Sequence, residues 1–403
     1  MKPLERLIPL EEASRIVLGA VRPVEGSERV PLERAAGRVL AADLVSALEV
    51  PPFARSAMDG YAVRAADTFA ASPGLPASLA VGERIHAGRF PDRAVVPGAC
   101  ALISTGAPVP AGADAVVKVE DTDQDPDGER VRIRRPVRPG ENVAPAGEDI
   151  RPGDLLLRAG MLLTPSRVGA AAAVGSAELP VFRKPRTLIY TTGEEIHPPG
   201  GPLPPGKIYD INSYTLGALL DGIGVPWESG GNVADDPDAL VRALERGKAF
   251  DLVLFSGGSS AGDRDLIASV LSRAGTVLFH GIALKPGKPT LFGTFSGVPV
   301  FGMPGFPASC LAVGLLLVAP AARRMARLPA QQRRTVRAAL ASGIAPSAGR
   351  HQVFTVRLEG PLAHPAYKES GDITSLSAAD GYIEIPPTVE RLDNGETVEV
   401  VLF

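Results

Sequence analysis

Residues 251–265 read DLVLFSGGSSAGDRD. An apolar, strand-forming run halts at Ser256, two glycines follow, and Asp263 and Asp265 close the stretch. Such a stretch is either a polar turn between a strand and a helix, or a loop whose backbone N–H groups wrap an oxyanion. Its surroundings decide the fold. TLIYTT, NSYTLGALLDGIG, VPWES and DPDALVRALERG precede it, alternating strand-like and helix-like patterns. DLIASVLSRAG, TVLFH, TLFGTF, PVFGM and CLAVGLLL follow it. This alternation over residues 183–325 predicts a doubly wound, mainly parallel sheet with helices on both faces.

Working outward, the rest of the 403 residues divides by texture, giving a multidomain α/β plus β fold. Residues 1–50 with 140–182 read as an extended helical N-terminal domain. LEEASRIVLGAV has apolar positions at helical spacing, and Pro165 with Ser166 opens RVGAAAAVG as a helix N-terminus would. Residues 51–139, with short alternating segments such as AVVKVE and RVRIRR, read as an inserted β-domain. Residues 326–403 return to strands (VRAALAS, QVFTVRL, GYIEIP, ETVEVVLF), the pattern of a C-terminal β-barrel-like domain. RRMARLPAQQRR between the last two reads as a solvated linker.

Composition excludes several classes. A net charge of −3 gives no basic footprint for nucleic acid. Cys100 and Cys310 lie too far apart to suggest a zinc site or a disulfide framework. The five histidines have no ligand spacing. The start, MKPLERLIPLEEASRIVLGAV, mixes charges into its apolar residues, unlike a signal peptide. The longest apolar run, Cys310 to Ala322, is short for a membrane span. A cytoplasmic protein with no membrane or nucleic-acid partner is expected.

Ligands of open parallel sheets bind outside the carboxyl ends of the strands, so candidate ligand residues belong on the strand exits. Gly193, Glu194 and Glu195 follow TLIYTT. Asp235 and Asp236 follow VPWES, within GGNVADDPD. Ser256, Gly257, Gly258 and Asp265 follow DLVLF. MPGFPAS follows PVFG, and ALKPGKP carries Lys285 and Lys288. Glycine loops admit an anion, lysines attract phosphate, and carboxylates beside phosphate suit Mg²⁺. Phosphate or pyrophosphate chemistry is the reading that joins them. Each residue also has a plainer one: Asp235 or Asp236 as a helix cap, the lysines as turn residues, the glutamates as solvated loop groups. A second constellation, PPFARSAMDGYAVR, ALISTGAPVP and PGENVAPAGEDIRPGD, reads by itself as turns or as another face of a cleft.

At these blocks the sequence resembles the MoeA family of molybdopterin molybdenumtransferases, which also includes the E domain of gephyrin. PPFARSAMDGYAVR, ISTGAPVPAGADAVVKVE, GEDIRPGD, KIYDINSYTL, SGGSSAGDRD, ALKPGKPTLFG and SGDITSLSAADGYIEIP carry the resemblance in order along nearly the whole chain. It implies a four-part subunit, a homodimer, and a sheet domain resembling molybdopterin adenylyltransferase. The implied reaction converts adenylylated molybdopterin and molybdate to molybdenum cofactor and AMP, with Mg²⁺. The adenylyltransferase and cofactor-receiving enzymes are implied partners.

By motif position Asp59, Thr105, Asp149, Glu195, Lys285 and Lys288 are catalytic candidates. Ser256, Gly257, Gly258, Asp235, Asp265, Arg350 and Ser370 are substrate-binding candidates, with Asp235 and Asp265 as metal ligands. Three departures stand out. Ala144 occupies a position where the family often has Arg, PGFP replaces its PGNP turn through Phe306, and SGGSSAG replaces SGGVSVG. Two rivals remain open at this point: an adenylyltransferase, and a non-catalytic scaffold.

Overall fold

The computed structural model describes residues 7–257, 266–367 and 371–403. The chain divides into two compact units. One comprises Val30–Ala36 and Ala42–Leu179; the other comprises Met1–Arg29, Gly37–Ala41 and Pro180–Phe403. Helical structure before residue 183 is confined to α1 (Leu10–Ala20) and α2 (Pro165–Ala173), with one-turn 3₁₀ segments. The rest consists of turns and two- to three-residue antiparallel pairings, Arg55–Ser56 with Val143–Ala144 and Leu44–Val45 with Leu155–Leu157.

The smaller unit is built on a six-stranded mixed sheet. Its strands are β1 (Gly60–Val63), β2 (Ala77–Ile85), β3 (Ala99–Ile103), β4 (Ala115–Lys118), β5 (Thr122–Gln124) and β6 (Arg130–Ile133), in spatial order β4-β1-β3-β2-β6-β5. Only the β2–β3 pair is parallel. Tyr61, Leu79, Val117, Val131 and Ile133 fill one core. Gly60 begins the second strand from the edge, where a Cβ would stand 1.9 Å from the Val117 carbonyl oxygen. The sequence DGYAV therefore carries a glycine that packing demands, immediately after Asp59.

The larger unit holds the predicted α/β sheet: β7 (Thr187–Thr192), β8 (Trp227–Val233), β9 (Leu252–Ser256), β10 (Thr276–His280), β11 (Leu291–Phe295) and β12 (Val298–Met303), ordered β8-β7-β9-β12-β11-β10. The first four are mutually parallel, and β7 and β9 are buried along their whole length. β11 and β10 extend the sheet antiparallel. The cause is local: Ser296 and Gly297, both at positive φ (48° and 84°), form a two-residue hairpin turn, and such turns join antiparallel neighbours. Helices α3 (Asn212–Gly222) and α6 (Pro307–Met325) share a core with α1 on one face; α4 (Pro237–Gly247) and α5 (Leu266–Ala274) share the core of the other. The sheet is thus doubly wound. α6 is the one helix among the described residues long and apolar enough to cross a membrane, and its apolar window is 72% buried here, as expected of a core helix.

One local expectation is corrected. GGNV after VPWES reads as loop, yet β8 runs through it to Val233. Gly230 is a bulge in the pairing with β7, and a Cβ there would stand 2.1 Å from the Tyr190 ring. Tyr190, stacked on Phe255 at 5.1 Å, takes that space. The glycines are strand residues that admit an aromatic neighbour, a use glycine has in strands besides turns.

In the same unit, β13 (Thr335–Leu340), β14 (His351–Glu359), β15 (Leu362–Pro365), β16 (Gly381–Ile385) and β17 (Thr397–Leu402) close into a ring, β14-β15-β13-β17-β16-β14. This is the expected barrel-like domain. Leu284–Lys285 pairs parallel with His351–Gln352 at the start of β14, joining the barrel to the sheet domain.

Candidate functional site at the sheet edge

Strands β7, β8, β9 and β12 all end on one edge. At the exit of β9, Gly257 adopts φ +94°, and a Cβ would lie 2.5 Å from the Thr192 carbonyl oxygen. At the exit of β12, Gly305 lies against Gly257: its Cβ would be 3.5 Å from the Gly257 Cα. Two backbone loops therefore meet with no side chain between them, the arrangement that lets main chain approach a ligand. Gly258 and Asp265, together with Asp263, fall outside the described residues.

Asn212, at the first position of α3, fixes this junction. Its Nδ2 donates to Ser256 Oγ at 2.7 Å and to the Gly305 carbonyl at 2.8 Å, so one buried amide ties both loops to one helix. Ser256 is 3% exposed. Its hydroxyl faces Asn212 and, at 3.9 Å, Cys310 Sγ. The Ser256 hydroxyl, expected among the substrate-binding candidates, is bonded within the protein here. Asn212 itself was not singled out in the sequence, where it reads as one polar residue at a helix start.

The charged candidates lie on other strand exits and turns of the larger unit. Glu195 is exposed after β7. Gly193, at φ +125°, leaves room for its carboxylate, which would lie 2.6 Å from a Cβ there. Asp235 and Asp236 divide the alternatives between them. Asp236 is the α4 cap, accepting the Ala239 N–H at 2.8 Å, and Asp235 stands exposed beside it at the end of β8. Lys285 is half-buried and its Nζ donates to Ser347 Oγ at 2.6 Å. Lys288, in the same turn, is partly buried, and its carbonyl accepts the Ile282 N–H at 3.0 Å. Arg350 directly precedes His351, the residue paired with Leu284, so the strand register places it at the level of Ala283, two residues before Lys285. Ser347, which no motif indicated, completes this corner.

Behind Arg350, His351 Nε2 and Glu384 Oε2 are 3.1 Å apart and Arg333 binds the same carboxylate. Burial works to raise the Glu384 carboxyl; the His351 hydrogen bond and Arg333 outweigh it and hold it below the usual range. Ser370 lies outside the described residues. Gly371, the next residue, sits by Phe306: a Cβ there would be 3.7 Å from the ring, which is 61% exposed. The amide-to-phenyl departure thus places an apolar surface at the edge of the cradle.

In the smaller unit Asp59 and Thr105 are brought together. Asp59 Oδ1 accepts the Thr105 N–H at 2.8 Å, and both residues are exposed. Asp149 is exposed, its N–H bonded to the Val50 carbonyl at 3.0 Å. Ala144 pairs across from Arg55, an exposed arginine; Arg151 instead donates Nε to the Gly147 carbonyl at 3.3 Å.

Both thiols are excluded from the chemistry. Burial pushes Cys100 and Cys310 up to about 12, so neither supplies thiolate near neutrality. Among the described residues no three His, Cys, Asp or Glu side chains converge as a metal cage. The arrangement is that of an anion cradle: glycine backbone, two lysines and an arginine, with carboxylates on neighbouring strand exits.

A doubly wound sheet with such an edge, in a chain that also carries an inserted mixed sheet and a closed barrel, has the make-up of a multidomain oxyanion- or phosphate-handling protein. Residues 8–175 match the MoeA N-terminal region (domain I and II), 188–324 a probable molybdopterin binding domain, and 337–403 the MoeA C-terminal region (domain IV). The molybdopterin molybdenumtransferase 2 of Mycobacterium tuberculosis is 37% identical over 97% of this chain and 98% of its own length. The molybdopterin molybdenumtransferase of Bacillus subtilis is 33% identical over 98% of this chain and 94% of its own. Among solved structures, a molybdopterin biosynthesis MoeA protein from Pyrococcus horikoshii OT3 aligns with a TM-score of 0.82 at 34% identity, covering 99% of this chain and 100% of that one. The chain belongs to the MoeA family of molybdopterin molybdenumtransferases.

Proposed function

We propose that this chain is a molybdopterin molybdenumtransferase: it takes adenylylated molybdopterin and molybdate and yields molybdenum cofactor and AMP. The observation that carries the proposal is the junction of Gly257 and Gly305 on the strand-exit edge, with Lys285 and Lys288 in the turn between β10 and β11 at the same edge, in a family member matched nearly end to end. The glycine loops offer backbone N–H groups to the phosphate end of the substrate. Lys285, held by Ser347, and Lys288 supply positive charge to the phosphate or the incoming molybdate, and Arg350 adds to that corner. Preorganised cations of this kind stabilise charge developing as the phosphate link is cleaved.

A divalent ion fits the donor set. Mg²⁺ uses one or two carboxylates and completes its shell with water and substrate phosphate, and the exposed oxygens of Glu195 and Asp235 on adjacent strand exits are of that kind. Asp265 is assigned with Asp235 by motif position. When bound, the ion would neutralise phosphate charge. In the smaller unit, Asp59 is held by the Thr105 N–H and is assigned, with Thr105 and Asp149, to positioning the reacting end. Gly258 and Ser370 keep substrate-binding assignments by motif, and Ser256 acts through its backbone. The functional unit is proposed to be a cytoplasmic homodimer, which light scattering would test.

The deciding experiment incubates purified protein with adenylylated molybdopterin, Mg²⁺ and molybdate or tungstate, measuring AMP and cofactor. AMP release dependent on oxyanion and Mg²⁺ is expected; no AMP with either metal would overturn the proposal. Consumption of ATP with metal-free molybdopterin would instead indicate an adenylyltransferase. Wild-type AMP release by both Asp59→Asn and Asp265→Asn would sink the residue assignment.

A further inference from the structure

The opposite edge of the same sheet carries a second charged cavity. Arg183, Lys184 and Arg186 precede β7, and Gly224, Val225 and Pro226 precede β8; with Glu28, Arg38 and Asp221 they line a pocket of about 540 Å³. Because β7 and β8 are parallel, this pocket lies at their amino ends, away from Glu195 and Asp235. Its volume is in the range of small-molecule sites.

Most charges there are already matched. Arg183 grips Asp251 through two bonds of 3.0 and 2.9 Å. Arg186 binds Glu228 at 2.8 Å. Arg38 binds Glu28 at 2.5 Å and the Phe182 carbonyl at 2.9 Å. Asp221 accepts the Trp227 indole N–H at 3.2 Å. One cationic donor that reaches the pocket is not. Among the described residues Lys184 Nζ has no hydrogen bond and no ion pair; it rests against Gly224, where a Cβ would be 3.1 Å from it. Arg38 has a side chain only 10% exposed, and its Nε is buried with no acceptor. Burial, and then Arg38 nearby, hold the Lys184 pKa below its ordinary value, against the pull of Glu28. A half-buried ammonium without an acceptor is costly, and an oxyanion in the pocket would supply one.

We propose that this amino-edge pocket binds a phosphate group, free or carried on a nucleoside monophosphate, with Lys184 as its principal contact. The alternative, in which the residues only stiffen the approach to β7 and β8, gives no saturable anion site.

The test separates this pocket from the carboxyl edge by using a Lys285→Ala/Lys288→Ala chain. Calorimetric titration at low ionic strength with inorganic phosphate and with AMP is expected to show one saturable site. Adding Lys184→Gln should weaken it about tenfold or more, the loss expected for a charge-assisted contact, while Lys184→Arg retains it. Equal affinities for the two probes assign the site to free phosphate; tighter AMP binding assigns it to the nucleotide. A second readout needs no variant: phosphate should protect Lys184 of the unaltered protein from acetylation, read by mass spectrometry. No saturable binding in the double variant, Lys184→Gln affinity unchanged, or equal acetylation with and without phosphate would each overturn the proposal.

Discussion

The two edges of one sheet use the same residue types in opposite ways. At the amino edge, arginines and carboxylates close on one another: Arg183 with Asp251, Arg186 with Glu228, Arg38 with Glu28. At the carboxyl edge, the close contacts are made by glycine backbone and a buried amide, and Glu195, Lys288 and Arg350 have no ion pair among the described residues. Charges that neutralise each other are structural by default; charges held on a backbone scaffold without neutralisation remain available to a ligand. The amino-edge exception, Lys184, is for that reason the informative one.

The comparison breaks first if carboxyl-edge charge proves irrelevant to catalysis. Lys285→Ala with Lys288→Ala is expected to lower the AMP-release rate by about 10²–10³ with little change in unfolding midpoint; steady-state kinetics and a thermal melt check both halves. Next is the scaffold. Gly257→Ala forces a Cβ onto the Thr192 carbonyl at positive φ, which should lower stability by about 1–3 kcal/mol and AMP release with it, measured by urea unfolding and the same assay.

A smaller effect sharpens the amino edge. Asp251→Asn loses the paired bonds from Arg183 and weakens acceptance of the Arg186 N–H. About 1–2 kcal/mol of stability should go and the AMP-release rate should stay; a rate loss would show that the edges are coupled. Smallest is a pH effect. Lys184 titrates below its unfolded value of 10.5, so between those two pKa values the unfolded chain binds more protons and stability rises with pH. Lys184→Met removes that rise. The wild-type-minus-variant unfolding difference should therefore slope upward with pH only between the folded value and 10.5.

The sheet was legible because β7 and β9 are buried on both faces and read as uninterrupted apolar runs, with turn residues between them and amphipathic helices. What escaped was set by distant partners. Whether GGNV is loop or strand depends on the Tyr190 ring packed over Gly230. The antiparallel turn of β11 into β12 depends on positive φ at Ser296, a residue that announces no such turn. The same division holds at the site. Charged candidates on strand exits could be read from order alone; without the family resemblance, which assigns Asp235, the pair Asp235 and Asp236 could not be told apart. The cap geometry separates them. Asn212 and Ser347 were invisible because their importance lies in what they touch.

The protein has a single tryptophan, and its position gives the amino edge an optical signal. Trp227 starts β8, its indole packs where a Cβ on Gly217 would be 2.2 Å away, and its N–H is bonded to Asp221, one wall of the cationic pocket. Emission from the whole chain excited at the red edge of indole absorbance thus reports one place. A ligand arriving beside Asp221 would change quantum yield or wavelength, whereas events on the far edge of the sheet should leave the spectrum unmoved.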